Sequence, residues 1–224
     1  MVLMLMLILA VTILASKAST PMAFTPSLIC LDRDGVINED VGAPGVVDKE
    51  QFQLTPGAGT AIGRLKELGC RVVVTTNQSS IGKKLLTPSG LNEIHDKMRM
   101  LLLEQDNSAL IDQIYVCASV NDSDPRKKPN PGMIHEACLD WRVNAADTVF
   151  VGDTLTDLQA ATAAGIPIRI LVSTGYGRGL MGNMHASNPP KTIEAKDISS
   201  SELSKVAPFI YARNLADAVN WILA

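Results

Sequence analysis

The sequence predicts an α/β fold, with a mainly parallel sheet carrying helices on both faces. Two observations lead there. After Ser27, short apolar runs rich in β-branched residues alternate with amphipathic stretches, the pattern of strands joined by crossover helices. The chain has 224 residues, and about 200 remain once the N-terminal segment is set aside, a size suited to one α/β core.

The elements follow in order. Leu28 to Leu31 reads as a buried strand ending on Asp32. Pro56 to Leu68 carries Ala61, Ile62, Leu65 and Leu68 at helical spacing, with Gly69 as the stop. Arg71 to Thr75 is a β-branched strand. Thr87-Pro88 reads as an N-cap and first helical position, opening a helix through Leu91, Ile94, Met98 and Leu101. Ile114 to Cys117 is a third strand, and Pro131 to Trp141 a helix. Thr148 to Val151 is a fourth strand, ending on Gly152-Asp153, and Leu155 to Ala164 a helix stopped by Gly165. Ile168 to Val172 is a fifth strand. Residues 176–205, rich in Gly, Ser, Asn and Pro, read as a loop excursion, after which Pro208 to Ala212 and a helix from Asn214 to Leu223 close the chain.

Composition narrows the function. Net charge is −3, with no basic excess to hold a polyanion, so no nucleic-acid partner is expected. Cys30, Cys70, Cys117 and Cys138 lie far apart without a metal knuckle or a disulfide framework, and read as core filler. Residues 1–15 are apolar apart from Thr12, short of the ~20 residues a membrane span needs. Three readings of residues 1–26 stay open: a secretory signal cleaved near Ser16-Lys17-Ala18, translation starting at Met22, or an organelle presequence. Localisation is cytoplasmic under the second and secretory or organellar under the others. No stable membrane span is expected in the mature chain, and residues 27–224 are expected to form one domain, monomeric or a small homo-oligomer.

In a parallel sheet, ligands collect at the carboxyl ends of the strands. That shortlists Asp32, Thr76, the segment after Cys117, and Asp153. Asp32 and Asp34 follow a buried strand directly, and Gly35 permits a tight turn that brings both acids toward one pocket. Two acids in a loop are ordinarily surface charge. A second pair, Asp153 and Asp157, follows another buried strand at i, i+4 spacing, and helix capping accounts for only one of them. Mg²⁺ prefers a few carboxylates completed by water and phosphate oxygens, and this set suits it. Lys127 and Lys128 supply local positive charge for phosphoryl oxygens, although two loop lysines alone would be plain surface. The run Thr75 to Ser80 offers hydroxyls and amides to a phosphate.

The ordered motifs Leu31-Asp-Arg-Asp-Gly-Val36, Thr76-Asn-Gln-Ser79, Lys128-Pro129 and Gly152-Asp-Thr-Leu-Thr-Asp157 resemble those of the haloacid dehalogenase-like hydrolase superfamily. The phrases LDRDGVIN, VVTTNQSSIG, KKPNPGM, VGDTLTDLQAA and TGYGR are similar to its heptose bisphosphate phosphatases, with the histidinol-phosphatase domain as sibling. The resemblance implies a Rossmann-like three-layer α/β/α sandwich and phosphomonoester hydrolysis through an aspartyl-phosphate. It implies Asp32 as nucleophile, Asp34 as acid and base, and Mg²⁺ on Asp32, the backbone carbonyl of Asp34, and Asp153. Thr76 and Lys128 would bind the transferring phosphoryl group, with Asp157 supporting Lys128. The turn Asp40, Val41, Gly42 and Ala43, together with Asn77, Gln78, Ser79 and Lys127, would face a small phosphorylated substrate.

Two departures bear on that expectation. Relatives with structural zinc carry a CxH…CxC loop before the Lys-Pro motif, whereas this chain keeps only Cys117, so Mg²⁺ and no zinc is expected. The family's usual Arg before the motif lysine is Lys127 here, a point charge in place of a two-pronged clamp. The intervals Asp32–Thr76 and Thr76–Lys128 leave no room for a separate cap domain. A sugar bisphosphate is the expected substrate. The alternatives are histidinol phosphate or another small phosphoester, or, in a different class, a non-catalytic phosphosugar-binding module.

Overall fold

The computed structural model describes residues 25–224. The three N-terminal readings concern residues that lie almost wholly outside that range. Seven strands form one sheet: β1 (Leu28–Leu31), β2 (Arg71–Asn77), β3 (Gln113–Cys117), β4 (Thr148–Gly152), β5 (Ile168–Val172), β6 (Lys191–Ile193) and β7 (Phe209–Ala212). Their order is β3-β2-β1-β4-β5-β7-β6; every neighbouring pair is parallel except β6 with β7.

Because successive side chains of a strand point to opposite faces, a strand buried on both faces must be apolar throughout. Ile29 and Leu31 join Val72, Val74, Val149 and Val151 in one core. That core is covered by α1 (Ala58–Glu67), α3 (Pro88–Gln105) and α8 (Leu215–Ile222). Leu28, Cys30, Val73 and Phe150 face the other side, against α4 (Gly132–Trp141) and α5 (Leu155–Ala163). The result is a Rossmann-like three-layer sandwich, and the segments between Asp32 and Lys128 belong to its core layers rather than to a cap.

The α3 start follows its sequence: Thr87 Oγ1 accepts from the Gly90 N–H at 3.0 Å and Pro88 occupies the first turn. A short helix, α2 (Ser79–Gly82), follows β2, with Ser79 and Ser80 of the hydroxyl-rich run in its first turn.

Residues 176–205, expected as a loop excursion, are instead built from short elements. They contain α6 (Gly177–Met181), the antiparallel edge strand β6, and α7 (Ser201–Ser204). Met181, Ile193 and Leu203 pack with Val206, Phe209 and Tyr211 on the sheet. Three apolar anchors spread thinly among Gly, Ser and Pro give no local period, so pairing with β7 and packing against Leu158 and Leu171 organise them. Among the described residues no helix is long and apolar enough to cross a membrane.

Candidate active site

The carboxyl ends of β1, β2 and β4 open on a cleft of about 210 Å³ lined by Asp32, Asp34, Asp40, Thr76, Asn77, Lys128, Asp153, Thr154, Thr156 and Tyr176. A larger cavity of about 470 Å³, lined by Thr25, Pro26, Leu68, Trp221 and Ile222 among others, has no ionisable side chain in its lining. The smaller cleft is the one that gathers the strand-end acids and Lys128.

Register brings the acids together. β1 pairs β4 with Leu31 opposite Val151, and the Asp32 N–H continues the ladder to the Val151 carbonyl at 2.9 Å. The next residues of both strands leave the sheet side by side. Ligand atoms of Asp32, Asp153 and Asp157 all lie within 4.8 Å of one another.

Lys128 sits among them. Its ammonium lies 2.6 Å from Asp157 Oδ1 and 2.9 Å from Asp32 Oδ1, and donates to the Thr75 carbonyl at 2.8 Å. Burial alone would depress this lysine, but Asp157 and Asp32 override it and push its pKa above the ordinary range. Lys128 is positioned from its backbone: the Lys128 N–H donates to Asn77 Oδ1 at 3.0 Å, and Asn77 Nδ2 returns a bond to the Lys128 carbonyl at 2.9 Å.

Asp157 is held in the same way, with the Lys128 ammonium beside Oδ1. Its Oδ2 accepts from the N–H groups of Asp153 and Thr154 and from the Thr154 hydroxyl, completing a capping box in which Thr154, not an aspartate, caps α5. Asp153 is different. Its Oδ2 accepts from the Tyr176 N–H at 2.8 Å, whereas its buried Oδ1 has no protein partner. Gly35 and Gly175, both at positive φ, press against this carboxylate; a Cβ on them would fall 2.3 and 2.0 Å from Asp153 Oδ2.

One lysine against three buried acids leaves excess negative charge. Burial, together with the Asp157 charge, pushes Asp153 up to about 8. Burial likewise raises Asp32 to about 7, with Asp157 adding to it and Lys128 opposing. An orphaned carboxylate oxygen beside a second raised carboxylate is a donor set that fits a hard divalent cation.

Asp34 lines the cleft, yet its carboxylate stands outside that acid cluster. Both its oxygens accept from Arg33 Nη2, at 2.8 and 2.7 Å; Asn38 Nδ2 adds a bond at 2.9 Å and Gln78 Nε2 one at 3.0 Å. Burial would raise its pKa, but Arg33 and these amides outweigh burial and hold it below the usual range. Arg33 is itself fully buried, and its Nη1 lies 3.4 Å from His95 Nε2 on α3. Burial and the Arg33 charge bring His95 down to about 4, so its ring is neutral and the nitrogen facing the guanidinium is an acceptor.

The other expected site residues divide. Asp40 and Asn77 line the cleft, and Gln78 Nε2 bonds Thr76 Oγ1 at 2.9 Å as well as Asp34. The Asp40–Ala43 turn is tied down nearby, with the Gly42 N–H on Asp40 Oδ1 and the Ser80 hydroxyl on the Pro44 carbonyl. Val41, Gly42, Ala43 and Ser79 are not among the lining residues. Lys127 turns away into its own loop, its ammonium 2.6 Å from Asp122 Oδ1 and 3.2 Å from the Val120 carbonyl. Sequence reasoning missed Arg33, His95 and Tyr176. The phrase TGYGR was the only signal for Tyr176, and nothing local marks His95.

Comparison with known proteins identifies the family. The family model described as haloacid dehalogenase-like hydrolase matches residues 30–165. The D-glycero-beta-D-manno-heptose-1,7-bisphosphate 7-phosphatase of Bordetella bronchiseptica is 40% identical over 152 residues, covering 67% of this chain and 83% of its own. The D-glycero-D-manno-heptose-1,7-bisphosphate 7-phosphatase of Chlorobaculum tepidum is 34% identical over 175 residues, covering 72% of this chain and 86% of its own. Among solved structures, the D,D-heptose 1,7-bisphosphate phosphatase of B. bronchiseptica complexed with magnesium and phosphate superposes with a TM-score of 0.73 at 32% identity, covering 88% of this chain and 98% of that one. The chain belongs to the haloacid dehalogenase-like hydrolase family.

Proposed function

We propose that this chain is a Mg²⁺-dependent phosphatase that hydrolyses a sugar bisphosphate, D-glycero-D-manno-heptose 1,7-bisphosphate being the substrate its relatives' names favour, through a phosphorylated Asp32. The observation that carries this reading is the meeting of Asp32, Lys128 and the half-satisfied Asp153 at one strand-end cleft.

Asp32 attacks phosphorus through a carboxylate oxygen, forming the acyl-phosphate bond as the bond to the sugar oxygen breaks. Asp34 gives that oxygen its proton. Asp34 then takes a proton from water, which attacks the same phosphorus, expels the Asp32 carboxylate and releases phosphate. Lys128 and the Thr76 hydroxyl hold phosphoryl oxygens, and Asp157 keeps Lys128 charged and aimed. Asp32, Asp153 and the Asp34 backbone carbonyl would hold Mg²⁺, which when bound offsets phosphoryl charge against an anionic nucleophile. Asp34 rests as an anion on Arg33, the state suited to the second step; for the first it takes up a proton from solvent on the cleft side, its side chain being 24% exposed, while Oδ1 keeps its Arg33 contact.

Small loops, not a cap, frame the cleft, and that suits a substrate with a second anionic group outside it. Lys127 and the Asp40–Ala43 turn are the nearest candidates to meet it, Lys127 after releasing Asp122. The test is Mg²⁺-dependent phosphate release from heptose 1,7-bisphosphate, fructose 1,6-bisphosphate, histidinol phosphate and p-nitrophenyl phosphate, with Asp32→Asn as control. Release abolished by EDTA and by Asp32→Asn supports the mechanism, and preference for the heptose ester supports the substrate. A wild-type protein that binds Mg²⁺ yet releases phosphate from none of the four would overturn both.

A further inference from the structure

Asp34 and Asp32 are two residues apart and line the same cleft, yet only Asp32 enters the cluster of acids close enough to share a cation. The difference is the side chain between them. Arg33 is fully buried, it is the largest side chain so placed, and two of its three nitrogens turn to Asp34. A buried guanidinium needs acceptors for its remaining donors. Nη1 faces the neutral ring of His95, itself 5% exposed and held by α3 in the core. Asn38 and Gln78 fill further acceptor sites on the Asp34 oxygens but carry no charge, so neither alone could hold an anion away from a cation site.

We propose that Arg33, seated by His95, is the positioning residue that assigns the Asp34 carboxyl to proton transfer and keeps it out of the cation site. This rests on Asp34 being the acid and base of the proposed reaction. Without the His95 acceptor, Nη1 is buried and unpaired, the guanidinium shifts, and the carboxyl loses its fixed place beside the leaving oxygen. Misplacement of this kind strikes proton transfer first, because Asp32 and Lys128 are held by contacts apart from the Arg33 guanidinium, and Thr76 meets Asp34 only through the shared Gln78 amide.

The test compares kcat/KM for heptose 1,7-bisphosphate, whose sugar alkoxide needs a proton to leave, with that for p-nitrophenyl phosphate, whose phenolate does not. Because kcat/KM reports the steps through phosphorylation of Asp32, the water step shared by both esters does not blur the comparison. His95→Leu is expected to lower the sugar-ester value about tenfold or more while the aryl value changes about twofold or less. His95→Gln, which restores an acceptor, is expected to recover most of the loss. Arg33→Lys, which keeps the charge and loses the fork, should reproduce the selective loss even if His95→Leu does not fold. Parallel losses on both esters, or a folded His95→Gln no better than Leu, would overturn the proposal. Asp34→Asn separates the two readings. If it spares the sugar ester, the acid role itself fails; if it is selective while the His95 and Arg33 variants are not, only the positioning role fails.

Discussion

Lys128 and Asp157 form a buried ion pair, Nζ to Oδ1 at 2.6 Å, with side-chain exposures of 3% and 0%. Breaking such a pair from one side leaves an uncompensated charge in the interior, which costs about 3–5 kcal/mol. Lys128→Met should therefore destabilise the metal-free protein on that scale in urea unfolding. Adding Asp157→Asn should recover part of the loss, although both proteins are inactive. A double variant no more stable than the single one would mean that Asp157 is compensated by its Thr154 contacts alone.

As a proposed cation ligand, Asp153 would carry its charge for the metal rather than for the fold. Asp153→Asn removes one of three crowded carboxylates and is expected to raise the melting temperature of the metal-free protein by a few degrees, about 1 kcal/mol. The same change should abolish the Mg²⁺-induced thermal shift and phosphate release. An Asn variant that melts lower than wild type without metal would show that the Tyr176 contact outweighs the relief of repulsion.

The raised carboxyls also set a pH dependence. Asp32 at about 7 and Asp153 at about 8 stand above the ordinary value of ~3.9, so the folded state holds their protons more tightly than the unfolded chain. Their contribution to metal-free stability is full below pH ~4 and declines as pH rises through the folded values toward 8. Mg²⁺ needs both groups deprotonated, so its stabilisation should grow across the same window. Differential melting of wild type and Asp153→Asn, with and without Mg²⁺, isolates these groups. A difference that stays flat between pH 5 and 9, roughly the span of the shifts, would contradict the assignment.

Gly175 and Gly182 share a positive φ, 55° and 56°, and Gly182 has a ψ of −115° outside the left-handed helical region, so alanine strains both backbones. Only Gly175 abuts the site: a Cβ there would fall 2.0 Å from Asp153 Oδ2, whereas at Gly182 nothing lies within 4 Å. Gly182→Ala should cost stability alone. Gly175→Ala should in addition weaken Mg²⁺ binding by about an order of magnitude, as a displaced ligand carboxylate would. Titration calorimetry on both variants decides it, and equal Mg²⁺ affinities would remove Gly175 from the site.

The strands and main helices were legible because each is written locally. Leu28–Leu31 is apolar throughout as a buried parallel strand must be, Ile168–Val172 is apolar but for Arg169 near its start, and Thr87-Pro88 caps α3 by side-chain chemistry alone. The acids at strand ends were legible for the same reason, since a charge directly after a buried run can only lie at the sheet's edge. Illegible were features made by distant partners. Residues 176–205 gain order from β7, β5 and Asp153, and His95 sits in an ordinary amphipathic helix until Arg33 reaches it.

By itself, then, the sequence determined the layer architecture, the end of the sheet that bears the chemistry, and the residue types gathered there, because hydrophobic period and strand-end position are short-range properties. Tertiary structure alone decided which acids meet. Strand order places β4 beside β1, and the parallel register of Leu31 with Val151 sets Asp32 next to Asp153. Packing decided the rest: Lys128 is turned into the acid cluster and Lys127 out of it, and Asp34 is drawn to Arg33 rather than to Asp153. A carboxylate's role depends on what lies within a few ångströms of it, and neighbours at that distance come from strands and helices far apart in the chain.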